Sequence, residues 1–275
     1  FARSPMVIAN SCWDLQVASK GRFILGIGPQ IRPHNEKRFS VSWSPPVPRM
    51  REYVMALRAI WHSWETGEKL RFEGEHYTFT LMTPNFVPES SGQVPVPITI
   101  AAVGEHSLRL SGEACDGVRL HPFCTRAYLE DVVMARINEG LAKTDRTRHS
   151  FEVTGGGFIA TGETEEEVDK VAEWVRHRIA FYGSTPSYWP VFEHHGCGDL
   201  GRKLNAMTKA GEWNKLAGEI PDDVLHLLNE HANLDELDHL HNLKTLPFQK
   251  KLELKSLSFR YSRKSDFSLK DVNLK

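Results

Sequence analysis

The sequence lacks the features that mark membrane-spanning, secreted and zinc-binding proteins. It has no run of about 18 apolar residues, the length of a spanning helix, and no basic start followed by a signal-type apolar run. The four cysteines, Cys12, Cys115, Cys124 and Cys197, form no CxxC pair, so neither a disulfide framework nor a zinc knuckle is indicated. We expect a cytoplasmic protein with reduced thiols and no metal site.

An excess of charge of either sign is also absent. The chain has 34 Lys and Arg against 35 Asp and Glu, a net charge of -1. No overall field therefore favours nucleic acid or an acidic membrane surface. The expected partner is a small-molecule substrate, with no nucleic acid and no membrane span, and a homo-oligomer is left open. With 275 residues, 40% of them apolar, the chain can bury one large core or two modest ones.

Strand-like and helix-like segments alternate along the chain. The apolar run from Arg22 to Gly28 predicts a buried strand, and the stripe of apolar residues from Arg49 to Trp64 predicts an amphipathic helix. Residues 70–80 predict a hairpin. Further strands are predicted at 98–103, 117–121 and 151–161, with helices at 105–115, 126–141 and from 164. This alternation favours an α/β fold with a parallel sheet, open or closed into a barrel.

Three stretches carry a resemblance to a known family. They are RSPMVIANSCWDLQVASKGRFILGIGPQIRPHNEKRF, WSPPVPRMREYVMALRAIW and PITIAAVGEHSLRLSGEACDGVRLHPF. In this order, over residues 1–226, they resemble the luciferase-like monooxygenase superfamily, and most closely its flavin- or deazaflavin-dependent oxidoreductases. The resemblance implies a TIM-type (β/α)8 barrel that binds coenzyme F-420, or alternatively FMN, at the carboxyl ends of its strands. It also implies hydride transfer between that cofactor and a small organic substrate.

The same resemblance implies that the barrel is incomplete. The strand at 22–28 corresponds to the family's fourth, so three strands of the family lie upstream of the match. The family's eighth strand is expected after residue 226, and no segment there matches it. We therefore expect a truncated barrel with impaired activity.

The end of the chain differs in composition from the rest. No glycine follows Gly218, no tryptophan follows Trp213, and residues 244–275 contain nine Lys or Arg against three Asp or Glu. The run LPFQKKLELKSLSFRYSRKSDFSLKDVNLK resembles the opening strands of an ABC transporter ATPase domain, in which an aromatic at the position of Tyr261 would stack on adenine. No GxxxxGK[ST] phosphate loop follows it in this sequence.

These observations predict three segments. Residues 1–226 form the luciferase-like barrel fragment, 227–243 a helical linker, and 244–275 a short, unrelated β-rich tail. Two alternatives to the oxidoreductase stay open: a non-enzymatic chimeric fragment, and an ATP-binding fragment of an ABC transporter.

The first candidate site follows the first strand, at Gly26-Ile27-Gly28. The glycines would let the backbone approach a flat cofactor ring, with Gln30 or Asn35 supplying polar contacts; the alternative is a turn that requires positive φ. Gly-x-Gly alone is weak evidence, because the third glycine of a dinucleotide fingerprint is absent. Since barrel sites lie at the carboxyl ends of strands, we favour the cofactor.

The second candidate is Ala102-Val103-Gly104, which leads into a helix beginning near Glu105. Small residues allow close approach, and the free N–H groups at a helix start favour a phosphate. The carboxylate of Glu105 would repel that phosphate. By resemblance, this loop contacts the cofactor in related proteins.

The third candidate is His121, at the end of the next strand, where an imidazole could hydrogen-bond the cofactor or move a proton. A packed polar residue is the alternative. Gly155-Gly156-Gly157 lies inside a strand-like segment, where it could let a ligand approach the backbone or mark a bulge, and we favour the bulge. The cluster of His194, His195, Cys197 and Asp199 is expected to lie in an exposed loop rather than to bind a metal. No catalytic residue can be named from the sequence.

Overall fold

The computed structural model describes residues 1–162 and 164–231, and two further strands at 254–259 and 269–274. The chain divides into two compact units, Phe1–His231 and Ala232–Lys275. No helix in the described part of the chain is both long enough and apolar enough to cross a membrane.

The first unit alternates strands and helices, as the sequence predicts. Its first half contains α1 (Pro5–Ala18), β1 (Leu25–Ile27), α2 (Pro46–Thr66), β2 (Phe72–Glu73), β3 (Thr78–Phe79), β4 (Ile98–Ala102), α3 (Glu105–Ala114) and β5 (Gly117–Leu120). Its second half contains α4 (Arg126–Tyr128), which runs through a π-helical turn (Leu129–Val133) into α5 (Met134–Ala142), then β6 (Glu152–Gly155), β7 (Phe158–Ala160), α6 (Glu165–Gly183), α7 (Trp189–His194), α8 (Gly198–Lys209), α9 (Asp222–Leu228) and β8 (Asn229–His231).

The centre of this unit is a parallel sheet of four strands in the order β1-β4-β5-β6. Gly26 pairs with Thr99, Thr99 with Gly117, and Gly117 with Glu152, so the four strands share one register. The predicted α/β fold with parallel strands is confirmed. The predicted hairpin is also confirmed, since β2 pairs antiparallel with β3.

The two faces of the sheet differ because side chains alternate along each strand. One face is buried under helices and carries, among others, Leu25, Ile98, Ile100, Val118 and Leu120. On the other face, which we call the open face, Gly26, Ala101 and Arg119 are exposed.

Helix α2 buries the whole predicted stripe. Met50, Tyr53, Val54, Leu57, Ile60, Trp61 and Trp64 are all buried. The helix ends at Gly67, whose left-handed φ of 75° is a common way to terminate a helix. The residue periodicity therefore identified the packed face of this helix correctly.

Helices α3 and α5 cross at two glycines. A Cβ atom on Gly112 would overlap the carbonyl oxygen of Ile137, and one on Gly140 would overlap the carbonyl oxygen of Arg109. The helix backbones therefore approach as closely as they do only because both positions lack a side chain.

Strand β6 ends where three glycines follow one another, and the expected bulge is wrong. Gly155, Gly156 and Gly157 have φ values of 82°, 100° and 73°. Three successive residues in this region interrupt the strand instead of adding one residue to it. The chain resumes as β7, which pairs in parallel with β8 and not with β5.

Strand β8 directly follows α9, in the region after residue 226 where the sequence offered no segment matching the family's eighth strand. Its three residues, Asn229 to His231, pair in parallel with Phe158 to Ala160 of β7. Periodicity missed it because the segment NEH is short and polar. Where a helical linker is predicted from residue 227, helix α9 ends at Leu228 and the strand follows at once.

In the second unit, β9 (Leu254–Phe259) and β10 (Leu269–Leu274) pair antiparallel. The rest of the predicted linker and Tyr261 lie outside the described residues. The resemblance of residues 244–275 to an ABC transporter ATPase domain stays a prediction.

Candidate functional site

The predicted site residues lie along one edge of the sheet. Because β1, β4 and β5 are parallel neighbours, their carboxyl ends meet at the same edge. Gly28 directly follows β1, Val103 and Gly104 follow β4, and His121 follows β5. In open or closed parallel sheets, ligands bind at this edge.

The glycines of β1 are not a positive-φ turn. Neither Gly26 nor Gly28 is among the residues with positive φ, so that alternative is wrong for both. A Cβ on Gly28 would lie 3.4 Å from the Cβ of Ala101, and one on Gly26 would lie 3.7 Å from Oγ1 of Thr99. The missing side chains thus leave the backbone accessible at the end of β1.

The positive φ falls on Gln30, whose φ is 59°. Its side chain is exposed, whereas the side chain of Asn35 is only 1% exposed. Asn35 donates from Nδ2 to the carbonyl oxygens of Pro29 at 2.9 Å and Ile31 at 3.1 Å. Of the two residues expected to contact a ligand, only Gln30 is free to do so.

The end of β4 presents an open helix start. Ala102 is buried, Val103 is partly buried and Gly104 is exposed. Helix α3 begins after Gly104 with no side chain capping its first N–H groups. Such a start favours an anion.

The carboxylate of Glu105 is less of an obstacle to an anion than the sequence suggests. It forms ion pairs with Arg136 at 3.1 Å and with Arg109 at 3.9 Å. Both arginines also pair with Glu139, so two cations balance two carboxylates beside the start of α3.

His121 is held as a neutral hydrogen-bond donor. Its Nδ1 accepts from the backbone N–H of Phe123 at 3.0 Å, which places the proton of the neutral ring on Nε2. Burial lowers the pKa of His121. The imidazole therefore offers one N–H donor near neutral pH.

Two tyrosines complete this part of the edge, and the sequence did not single them out. The ring centroid of Tyr182, near the end of α6, lies 4.2 Å from that of His121, and the centroid of Tyr188 lies 4.8 Å from it. The aromatic run FYGSTPSYW at 181–189 was the available signal, but periodicity does not say which strand end it meets. Burial, with a smaller effect of Tyr182, raises the pKa of Tyr188.

The enclosed space at this edge is too small for a ligand. A crevice lined by Ala102, Val103 and His121, with core residues behind them, has a volume of about 10 Å³. This is at the lower limit for one water molecule. A cofactor at this edge would therefore lie over the exposed backbone, not inside the crevice.

A larger groove of about 410 Å³ lies between the start of α2 and helices α3 and α5. Each of its three cations already has a carboxylate partner, since Arg51 and Lys143 pair with Glu113 and Arg109 pairs with Glu139. We therefore do not assign a ligand to this groove.

Two clusters of metal-ligand residue types have other roles. Glu52, Glu75 and His76 place ligand atoms within 4.8 Å of one another, but Glu52 accepts the backbone N–H groups of Glu75 and His76 at 3.0 and 2.8 Å and so holds the hairpin turn. His194 ends α7, and Nε2 of His195 lies 2.7 Å from the hydroxyl of Thr125. His194 and His195 therefore lie at the end of α7 and in the turn that follows it, with His194 exposed and His195 partly buried.

Comparisons with known proteins identify the family. The model of the luciferase-like monooxygenase family matches residues 1–228. An uncharacterized protein of Mycobacterium tuberculosis is 50% identical over 226 residues, which cover 82% of this chain and 66% of that protein. The 5,10-methylenetetrahydromethanopterin reductase of Archaeoglobus fulgidus is 27% identical over 241 residues, 85% of this chain and 67% of the reductase.

A solved structure shows the same fold. The coenzyme F-420-dependent tetrahydromethanopterin reductase of Methanopyrus kandleri matches with a TM-score of 0.63 and 19% identity, over 82% of this chain and 66% of the reductase. This chain thus spans about two thirds of the length of these relatives. Its sheet corresponds to part of a TIM-barrel-like α/β fold. From the family match over residues 1–228, the chain belongs to the luciferase-like monooxygenase family.

Proposed function

We propose that the first unit binds a deazaflavin, coenzyme F-420, at the carboxyl edge of its sheet, with FMN as the alternative, and acts as an oxidoreductase on a small organic substrate. One observation carries this proposal: accessible backbone at Gly28 and Gly104 and the N–H donor of His121 follow three neighbouring parallel strands. The likeness to an F-420-dependent reductase supports the choice of cofactor.

The chemistry of this edge fits such a cofactor. A Cβ on Gly104 would meet no atom within 4 Å, so the backbone beside the start of α3 is open to a ligand. Both F-420 and FMN carry a phosphate, which the uncapped N–H groups of α3 suit. Both also carry a planar ring with hydrogen-bonding edges, which an imidazole N–H and an exposed amide can contact.

Each residue then has a proposed role. Gly26 and Gly28 leave room for the ring, and Gln30 supplies a side-chain amide to it. Ala102, Val103 and Gly104 bring the backbone to the phosphate. His121 donates from Nε2, and Tyr182 and Tyr188 shield its ring from water.

When bound, the cofactor supplies the hydride acceptor or donor. The chain's own residues bind it, orient it and place a single proton donor, Nε2 of His121, at the edge. We propose no nucleophile, because this chemistry does not need a covalent intermediate with the protein.

We further propose that this activity belongs to residues 1–226 and that the tail at 244–275 takes no part in it. The division into a unit Phe1–His231 and a second unit supports that assignment.

Titration with F-420 and with FMN, followed by cofactor fluorescence, tests the proposal on the whole chain. We expect saturable binding of at least one cofactor, and weaker binding after Gly104→Val. Gly218→Val is the matched control, because a Cβ at Gly218 also meets no atom within 4 Å. Gly218 itself lies in a short helical turn, Trp213–Glu219, and does not follow a strand. Absence of saturable binding of both cofactors would refute the proposal.

A further inference from the structure

The turn after β1 is held by a buried side-chain amide from the π-helical turn that follows it, His34–Arg38. Nδ2 of Asn35 donates to the carbonyl oxygens of Pro29 and Ile31, at 2.9 and 3.1 Å. These two carbonyls stand on either side of Gln30. One side chain therefore holds the turn at both ends.

The residue between them is in an unfavourable conformation. The φ of Gln30 is 59°, in the left-handed region that residues with a Cβ seldom adopt. Such a conformation persists only where the surroundings determine it. The two hydrogen bonds from Asn35 are contacts that determine it here.

The same contacts fix the orientation of the Asn35 amide. A flipped amide would point Oδ1 at two carbonyl oxygens, which accept hydrogen bonds and cannot donate them. Both N–H groups of the amide are used, and the side chain is 1% exposed. Asn35 therefore acts on the turn and cannot also donate to a ligand.

Backbone hydrogen bonds around Asn35 connect the Gln30 turn with the segment that follows it, up to Val41. The carbonyl oxygen of Ile31 also accepts from the N–H of His34 at 3.1 Å, and the carbonyl oxygen of Asn35 accepts from the N–H of Val41 at 2.8 Å. The oxygen Oδ1 of Asn35 is buried and has no hydrogen-bond partner. Burying a polar atom without a hydrogen bond costs free energy. The two hydrogen bonds that Nδ2 donates offset that cost, and they are the interactions that the buried amide makes with the turn.

We propose that Asn35 is a positioning residue, which holds the Gln30 turn in the shape that presents the end of β1 to the cofactor. The inference rests on the proposed function for the identity of the ligand. The two hydrogen bonds from Asn35 to the turn do not depend on which ligand binds.

Asn35→Ala tests the inference by removing both hydrogen bonds. Gln16→Ala is the matched control, because Gln16 is also 1% exposed and donates from its amide to a backbone carbonyl, that of Val94, at 2.8 Å on the α1 side of the unit. We expect Asn35→Ala to raise the Kd for F-420 or FMN at least tenfold and to speed hydrogen exchange at the amides of His34 and Val41. Gln16→Ala should lower the Tm without either effect.

Asn35→Asp adds a pH profile. An ionised carboxylate has no donor for the two carbonyls, whereas the protonated acid has one. The ratio of its Kd to that of the unaltered protein should therefore fall as the pH is lowered, while the ratio for Asn35→Ala stays constant.

Three results would overturn the inference. Unchanged exchange at His34 and Val41 in Asn35→Ala would show that the amide does not hold the turn. Unchanged Kd in that variant, with the unaltered protein binding a cofactor, would refute the positioning role alone. If the unaltered protein binds neither cofactor, the proposed function fails and the positioning role fails with it, whatever the exchange rates show.

Discussion

The imidazole of His121 packs against the ring of Tyr182, with 4.2 Å between centroids and an angle of 71° between planes. Burial lowers the pKa of His121, so its ring stays neutral to lower pH in the folded protein than in the unfolded chain. Above about pH 6.5, the usual pKa of histidine, His121 is neutral in both the folded and the unfolded chain, and its full contribution to the free energy of unfolding is present. It is lost as the pH falls from there through the lowered pKa, because the unfolded chain takes up the proton first.

The first prediction is therefore that the Tm of the protein falls between about pH 6.5 and pH 5, and falls less steeply in His121→Asn. Asparagine retains an acceptor for the N–H of Phe123 but does not titrate. Burial, with a smaller effect of His194, also lowers the pKa of His195, so part of the slope should remain in the variant. A pKa of His121 at or above its usual value, measured by NMR titration, would contradict this prediction.

The second prediction concerns the crossing of α3 and α5. Gly112→Ala places a methyl group against the carbonyl oxygen of Ile137, and forcing the helices apart should lower the free energy of unfolding by about 1–3 kcal/mol. Gly218→Ala is the control, since its Cβ meets no atom within 4 Å. Urea denaturation of both variants is the measurement, and equal stability of the two would show that the backbones do not approach as described.

The third prediction concerns the amino-terminal edge of the sheet. Oδ2 of Asp116 accepts from the backbone N–H of Ile98 at 2.8 Å and from Arg58 at 2.9 Å. Asp116→Ala leaves that N–H without its acceptor and should lower the free energy of unfolding by about 1–3 kcal/mol.

Asp199→Ala is the matched control for that variant. Asp199 also pairs with an arginine, Arg202, at 2.9 Å, but its side chain is 98% exposed. Exposed pairs contribute about 0–1 kcal/mol, so the control should be almost as stable as the unaltered protein. A loss in Asp199→Ala as large as that in Asp116→Ala would argue against the role of the Ile98 hydrogen bond.

The fourth prediction concerns thiol reactivity. Burial raises the pKa of Cys12 and Cys124 to about 11 and that of Cys115 to about 12, so these thiolates are scarce at neutral pH. Cys197 is only partly buried. We expect a thiol reagent at pH 7.5 to modify Cys197 first and the other three only on unfolding. Mass spectrometry of the labelled peptides gives the order, and rapid labelling of Cys115 in the folded protein would contradict it.

Elements with strong periodicity were predictable from the sequence. The stripe of α2 gave its buried face correctly, because helix packing repeats every three to four residues and the apolar side chains follow that repeat. In α1 the apolar residues do not all mark the buried face. Leu15 and Val17 are about half exposed, whereas the polar Gln16 is buried. Its side-chain amide donates a hydrogen bond to the carbonyl oxygen of Val94 and accepts one from the N–H of Phe23.

For the carboxyl edge of the sheet, the sequence predicted which residues lie there but not their conformation or their packing. Placing Gly28, Gly104 and His121 on one edge needs only the parallel order of their strands. The conformation of Gln30 and the packing of Tyr182 and Tyr188 on His121 depend on contacts between residues distant in the chain. The break between β6 and β7 was missed because consecutive glycines are compatible with both a bulge and an interruption.

The open face of the sheet sets the dielectric surroundings of anything bound beside it. Gly26, Ala101 and Arg119 are in contact with water, whose dielectric constant of about 80 weakens every charge interaction at their surface. Fixed protein dipoles act most strongly where water is excluded. A ring resting on this face would keep one side in water, so a small anionic quencher such as iodide should reach the bound cofactor.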